Sequence, residues 1–332
     1  KTAYEIYQCD WSSDVCSSDL LQGELLIILL TVQDLRWGEE ALDPQMRTKY
    51  LALQGCIDLW IRDERHTQYE GWVTRERLSN MRANSYLDLT ATPYAVLEHY
   101  KPEQILSRSL AWAQQHRKIL GIPQVSIETH NLDFAHVSPK IAALYTVAEG
   151  FDPRKLFVRA NGNFLLRSEL LEIRDRLYHS PMSKRKNTMS IVNDPGLSAV
   201  SQRCGMWVLP EGDSQDPAVQ YIPALAAELN TTQSKTHFLD SYTLERECPR
   251  TMTLGEYVDC LLQQHERVVI LTCGKFITGT DIPALGHIVL FNRINSCAVF
   301  EQLLGRTIRG YPGKEQVKMY RSEEHTSELQ SH

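Results

Sequence analysis

From Gly23 onward, short apolar runs alternate with amphipathic stretches, the pattern of a parallel sheet covered by helices. Buried strands are predicted at Leu25 to Thr31, Ile57 to Arg62 and Tyr86 to Leu89. Polar residues follow each run at once: Gln33-Asp34, then Asp63-Glu64-Arg65-His66, then Thr90-Ala91-Thr92-Pro93. Ligands of open α/β sheets gather at the carboxyl ends of the strands, so the three polar clusters are expected on one edge of one sheet. A second run of similar units begins near Cys204, with strands predicted at Gly205 to Leu209, His237 to Leu239, Val268 to Thr272 and His287 to Phe291. Helices at Pro217 to Leu229, Leu254 to His265 and Cys297 to Leu304 fit between them. The expectation is α/β architecture in two lobes, residues 1–100 and 194–320. Residues 101–193 form a linking elaboration with helical stretches at Pro102 to Leu120 and Leu165 to Tyr178 and a basic turn, Lys184-Arg185-Lys186.

Two tracts interrupt this pattern, Asp10 to Leu20 and Arg321 to His332. One DNA strand can encode the second tract while its reverse complement encodes the first, and that DNA resembles a high-throughput sequencing adapter. Both tracts are therefore set aside from fold reasoning, as is usual for segments that come from reagents. Cys9 and Leu21 then need not be neighbours in the gene, and the first lobe is expected to be incomplete.

The whole chain has 332 residues, 42% hydrophobic and 23% charged, with net charge -6. This is globular composition and excludes a disordered or fibrous chain. Setting the two tracts aside removes one of the 35 basic residues and six of the 41 acidic ones. What remains is close to neutral, so any polyanion must be held by local groups and not by a global field. No apolar run approaches the ~18 residues of a membrane span. The eight cysteines, at 9, 16, 56, 204, 248, 260, 273 and 297, form no C-x-x-C pair and have no His cluster at zinc spacing, so neither a zinc knuckle nor a disulfide scaffold is indicated. The expected setting is a soluble protein of the cytoplasm, with no membrane partner.

The tetrad Asp63-Glu64-Arg65-His66 has chemistry to offer at a strand end. Nucleotide hydrolysis needs one carboxylate to hold Mg²⁺ on the phosphates and another to position or deprotonate water, and adjacent acids can supply both. Alone, such a tetrad is usually a solvated loop start. It is followed in order by Thr90-Ala91-Thr92-Pro93, by Thr278-Gly279-Thr280-Asp281-Ile282-Pro283 and by Gln302-Leu303-Leu304-Gly305-Arg306-Thr307-Ile308-Arg309.

Taken together, these four segments resemble motifs II, III, V and VI of the superfamily-2 DExH helicases and translocases, over about Thr31 to Tyr320. Segments such as Leu271-Thr272-Cys273-Gly274-Lys275-Phe276 are similar to the restriction-enzyme R-subunit branch, including type III Res-like proteins. The resemblance implies two RecA-like lobes that use ATP and Mg²⁺ in the cleft between them and move on DNA. It further implies the methyltransferase or specificity subunits of a restriction system as partners. By the same resemblance Asp63 would hold Mg²⁺, Glu64 would act on water, and His66, Thr90 and Thr92 would couple nucleotide state to movement. Gly279, Asp281 and Gln302 would face the nucleotide. Arg306 and Arg309, read as three apart on one helix face, would be arginine fingers. Trp72, Tyr94 and Trp112 are candidates to stack on bases, although core or ordinary surface is the commoner role.

Such motors also need a glycine-rich phosphate loop, and no G-x-x-x-x-G-K-[ST] occurs in the chain. The opening Lys1-Thr2, read as the head of a helical stretch through Gln8, would then be the phosphate lysine and the Mg²⁺-binding hydroxyl, with their glycines upstream. The chain as written is accordingly expected to turn over little or no ATP. The alternative is a nucleic-acid-binding remnant without catalysis. Resequencing the source DNA outward from Lys1 and through both tracts is expected to reveal a glycine-rich stretch leading into Lys1 and a further α/β unit between Gln8 and Leu21. Continuous flanks without that loop would remove the roles of Lys1 and Thr2.

Overall fold

The computed structural model of the chain describes residues 5–8, 26–29, 57–63, 83–89, 100–107, 110–129, 139–142, 145–146, 150–178, 190–192, 194–212, 216–230, 235–274, 280–292, 294 and 297–321. The chain divides into two compact units, Lys1–Leu106 and Ser107–His332.

In the first unit β1 (Glu5–Gln8) pairs in parallel with β2 (Leu26–Leu29), and β3 (Ile57–Asp63) with β4 (Ala83–Leu89). The three expected strands are thus present, with β4 starting three residues before Tyr86. Register sets Asp63 opposite Leu89, so the segments that follow these two strands leave from one edge. Two expectations change. Among the described residues β2 pairs with β1, not with β3 or β4, so these strands are not joined in one sheet, and Gln33-Asp34, Glu64 to His66 and Thr90 to Pro93 lie outside the described residues. Residues 5–8, expected in a helix behind Lys1 and Thr2, form a strand instead. Ile6 and Tyr7 favour extended backbone, and the parallel pairing with Leu26–Leu29 gives one side of the strand its ladder.

The second unit is built on one six-stranded sheet in which every pairing is parallel. Its strands are β5 (Gln124–Thr129), β10 (Cys204–Val208), β11 (Thr236–Asp240), β12 (Arg267–Thr272), β13 (His287–Leu290) and β14 (Gln316–Arg321), in the spatial order β11-β12-β10-β13-β14-β5. Two short antiparallel ribbons precede β10: β6 (Tyr145–Thr146) with β7 (Gly150–Phe151), and β8 (Arg159–Ala160) with β9 (Asn163–Phe164). The helices are α1 (Leu110–Gln115), α2 (Arg117–Leu120), α3 (Pro139–Ala142), α4 (Arg167–Tyr178), α5 (Ala218–Leu229), α6 (Ser241–Glu247), α7 (Leu254–Gln264) and α8 (Cys297–Thr307). The stretch expected as one helix from Pro102 to Leu120 is broken into a 3-10 turn at Pro102–Gln104 and the short α1 and α2. Gly121, at φ 65°, ends α2 in the left-handed region that glycine enters without steric cost.

Strand residues alternate strictly between two cores. Met206, Leu239, Val268, Ile270, Ile288, Leu290 and Met319 pack with Leu244 of α6, Val258, Leu261 and Leu262 of α7 and Leu303 and Leu304 of α8. Trp207, Phe238, Val269, Leu271, Val289 and Tyr320 face the other way, against Leu170, Ile173 and Leu177 of α4 and Ile222, Leu225 and Leu229 of α5. Burial of both faces explains the unbroken apolar runs of β10, β12 and β13. At roughly 25 cal/mol per Å² of apolar surface, each fully buried side chain of this size contributes about 1.5–3 kcal/mol. β5 and β14 escaped the pattern because they mix polar residues with apolar ones. Lys318 of β14 is nevertheless buried, its ammonium 2.7 Å from Asp194 Oδ1, while Tyr320 donates to Asp194 Oδ2 at 2.6 Å.

One polar chain crosses the core. Trp207 Nε1 donates to Tyr178 Oη at 3.0 Å, the Tyr178 hydroxyl lies 3.2 Å from His287 Nε2, and His287 Nδ1 lies 2.8 Å from the Ser201 carbonyl oxygen. A neutral imidazole protonated on Nδ1 satisfies every member: the Tyr178 hydroxyl donates to Nε2, and Nδ1–H donates to Ser201. Gly205 makes room for the ring, because a Cβ there would overlap it. Burial pulls His287 down from the usual 6.5 to about 4. Between these values the unfolded chain binds a proton that the folded chain refuses, so the associated stability is present above pH 6.5 and is lost as pH falls toward 4. Urea unfolding is expected to lose on the order of 3 kcal/mol across that window, and less in His287→Gln. An identical pH slope in the two proteins would place the effect elsewhere.

Candidate functional site

The sheet brings Thr280 and Asp281, the described end of the T-G-T-D segment, together with the Q-x-x-G-R-x-x-R segment at the rim of the second unit. Residues 280–286 lead down into β13, and Ile282, Ala284 and Leu285 are buried with the core of that face. This pins the segment and leaves Thr280 half-buried and Asp281 exposed at its start. Pro283 and the Asp281 carbonyl rest on the first turn of α7, where a Cβ on Gly255 would come within 2.9 Å of Pro283 Cδ and 3.3 Å of Asp281 O. That turn is held by a capping box: Thr253 N donates to Glu256 Oε2 at 2.7 Å, and Glu256 N to Thr253 Oγ1 at 3.3 Å.

On the other side, α8 buries Leu303, Leu304 and Thr307, and its Arg306 Nη1 donates to the Thr280 carbonyl oxygen at 2.8 Å. Gln302 lies one turn before Arg306 on the same half-buried face. Arg309 Nε lies 3.3 Å from Asp281 Oδ1, with 55% and 62% of the two side chains exposed. The two arginines do not share a helix face, as their spacing predicts, because α8 ends at Thr307 and Arg309 follows in a bend. Gly310, Pro312 and Gly313 stop the helix there, and the close approach of Gly310 to the Gly121 carbonyl leaves no room for a side chain. The two arginines still reach neighbouring residues, Arg306 meeting Thr280 and Arg309 meeting Asp281.

Sequence reasoning missed the support beneath this junction. Lys314 Nζ donates to the carbonyls of Pro283 and Leu285, the latter at 3.2 Å, and so fixes the turn after Asp281. Burial pulls its amine from 10.5 to about 8, against the opposing pull of Asp281. Tyr311 donates to Asp259 Oδ1 at 2.7 Å and ties the following loop to α7; burial, then this hydrogen bond, pushes its hydroxyl up to about 12. A lysine in a Gly- and Pro-rich turn reads as solvated, so no local signal marks it.

The other expected site residues fall outside this junction. Asp63 ends β3. Lys1, Thr2, Glu64, His66, Thr90, Thr92 and Gly279 lie outside the described residues, as do Trp72, Tyr94 and the basic turn at 184–186. Trp112 stacks on His116 at 4.4 Å within its own segment. Among the described residues no group of three or more His, Cys, Asp or Glu could hold a metal ion, and no helix is long and apolar enough to cross a membrane. Of the residues expected to meet a nucleotide, Asp281, Gln302, Arg306 and Arg309 are therefore the ones with a described setting. Their two guanidinium groups suit phosphate oxygens.

No protein-family model matches the chain, and no curated protein does. Among solved structures, Saccharomyces cerevisiae Dbp5 bound to RNA and ADP BeF3 is similar in two structures, at TM-scores of 0.41 and 0.39 with 13% and 14% identity. The match covers 93% of this chain and 62% of the Dbp5 chain. The ATP-dependent type ISP restriction-modification enzyme LlaBIII bound to DNA is similar at a TM-score of 0.43 and 14% identity, over 89% of this chain and 19% of that one. The chain thus spans less than two thirds of each. At these values no role passes from those proteins to this one.

An ion pair this exposed gains little Coulomb energy in water. In a double-mutant cycle of Asp281→Ala and Arg309→Ala, the coupling in unfolding free energy is expected to stay below about 1 kcal/mol and to shrink with salt. A larger, salt-insensitive coupling would show that the pair is structural and not held ready for a ligand.

Proposed function

We propose that the chain is part of an ATP-dependent DNA helicase or translocase of the superfamily-2 type, from the motor of a restriction system. The observation that carries the proposal is the convergence of Arg306 on Thr280 and of Arg309 on Asp281, which joins two motif-like segments at one exposed place. In this reading the first unit supplies Asp63 for Mg²⁺ and Glu64 for the attacking water, and the second supplies Arg306 and Arg309 for the γ-phosphate. Gly279, Asp281 and Gln302 contact nucleotide, while His66, Thr90 and Thr92 couple its state to movement. Both units are RecA-like lobes in this proposal. ATP and Mg²⁺ are the cofactors, DNA the track, and methyltransferase or specificity subunits the partners. The choice of DNA over RNA follows the branch that the sequence resembles. In this reading Lys1 would be the phosphate lysine and Thr2 the Mg²⁺-binding hydroxyl; both lie outside the described residues, and the segment behind them, residues 5–8, is a strand where a helix was expected.

The chemistry asked of the arginines is charge stabilisation. A phosphoryl group in transfer spreads negative charge over its equatorial oxygens, and a guanidinium placed there lowers the barrier without forming a covalent bond. The exposed pairing with Asp281 keeps Arg309 within reach of such a group, since the carboxylate contact costs little to break.

The test uses the product of the intact gene. Arg309→Ala is expected to lower DNA-stimulated phosphate release by ~10³-fold or more, the range of arginine fingers in related chemistry. Because Arg309 is exposed, the melting temperature should move by no more than about 2 °C. Retained turnover in a folded Arg309→Ala variant would overturn the proposal.

A further inference from the structure

Cationic side chains of one segment, residues 306–314, hold three backbone carbonyls of residues 280–285. Arg306 takes the Thr280 carbonyl at 2.8 Å, and Lys314 takes those of Pro283 and Leu285, the latter at 3.2 Å. The rest of the turn is bonded to itself and to the sheet. Leu285 N donates to Ile282 O at 3.0 Å, Gly286 N to Cys204 O at 3.0 Å, and Lys318 N to Gly286 O at 3.2 Å. A grip on carbonyls sets the course of the backbone and leaves the side chains of Thr280 and Asp281 outside it.

The local fold delivers Lys314 to this place. Its backbone N donates to Tyr311 O at 3.0 Å, closing a turn in which Gly313 takes φ 75° and in which a Cβ on Gly313 would stand 3.0 Å from Val200 Cγ2. Only 4% of Lys314 is exposed. Burial of an ammonium is costly, and a methionine would fill a similar space with no charge, so the two carbonyls are what the charge serves. The charged and titratable groups that face it are Asp281, which favours the ammonium, Arg309, which opposes it, and the buried Cys204 of β10. Asp259 of α7, Arg203 and the Tyr311 hydroxyl stand around that thiol.

We propose that Lys314 is a positioning residue for the chemistry of this junction: from beneath, its ammonium sets the turn 280–285 so that Thr280 and Asp281 meet Arg306 and Arg309. The inference rests on the functional reading above, and it makes turnover depend on a proton carried behind the turn. Burial brings the amine to about 8. From there to 10.5 the folded chain is without a proton that the unfolded chain keeps, so this group makes the fold more stable as pH rises. The grip changes in the opposite direction, because a neutral amine donates more weakly than an ammonium. A fall in turnover above pH 8 that follows Lys314 is therefore not a loss of the fold.

The test compares the parent with Lys314→Met, Lys314→Arg and Arg309→Ala. In the product of the intact gene, kcat of the parent for DNA-stimulated phosphate release is expected to fall above about pH 8, while Lys314→Arg, charged throughout, loses that alkaline limb. Lys314→Met should lower kcat by ~10-fold or more at neutral pH, with KM for ATP within about twofold of the parent. In the full chain, hydrogen exchange at the Leu285 and Gly286 amides should quicken above about pH 8 in the parent beyond the rise in intrinsic rate, and at every pH in Lys314→Met. This second readout needs no turnover, and the parent's profile alone carries it where a variant does not fold. Parent-like kcat in a folded Lys314→Met would overturn the proposal, as would an alkaline limb retained in Lys314→Arg or exchange that does not change across pH 8. If Arg309→Ala turns over as the parent does, the functional reading fails by itself, and exchange at Leu285 then decides whether Lys314 holds the turn.

Discussion

Covering both faces of a parallel sheet with helices leaves its central strand no side on which to place an unpaired polar group. β10 has β12 on one side and β13 on the other, and its Met206 and Trp207 look into different cores. A slip of one residue in β10 would exchange every side chain between the faces, driving Trp207 into the space fitted to Met206. The polar side chains beside β10 are engaged with one another. Trp207, Tyr178, His287 and Ser201 form one hydrogen-bonded chain, and the neutral imidazole is the form that completes it. The small Gly205 beside the ring is part of the same arrangement.

The rim of the second unit inherits its geometry from that core. Ile282 and Leu285 are held under the sheet, Leu303 and Leu304 anchor α8, and the carbonyls between them are gripped by Lys314. With the backbone set from below, Thr280, Asp281, Arg306 and Arg309 are left at the surface and within reach of one another. The division of labour is physical. Apolar burial supplies the rigidity, while the exposed ion pair of Arg309 and Asp281 adds little stability.

The ends of the sheet obey a different constraint. A strand at the end of a sheet has donors and acceptors on its outer side that still need partners. Side-chain amides meet that need with two bonds each, Asn230 with Phe238 N and O of β11, and Gln114 with Val125 N of β5 and Pro123 O beside it.

By itself the sequence determined the architecture wherever burial leaves a local trace. The apolar runs of β10, β12 and β13 and the amphipathic α5 and α7 are legible, because a side chain's need to leave water is written in its own residue type. The order of the motif-like segments is legible for a similar reason, since chemistry depends on residue identity. Tertiary structure alone decided what depends on partners distant in the chain. Lys318 and Lys314 look like surface residues until Asp194 and the turn carbonyls are brought to them. β5 and β14 look half-polar until they pair with each other in the sheet, and residues 5–8 become a strand by pairing with Leu26–Leu29. In each case the deciding group lies far away in sequence, so no window along the chain contains it.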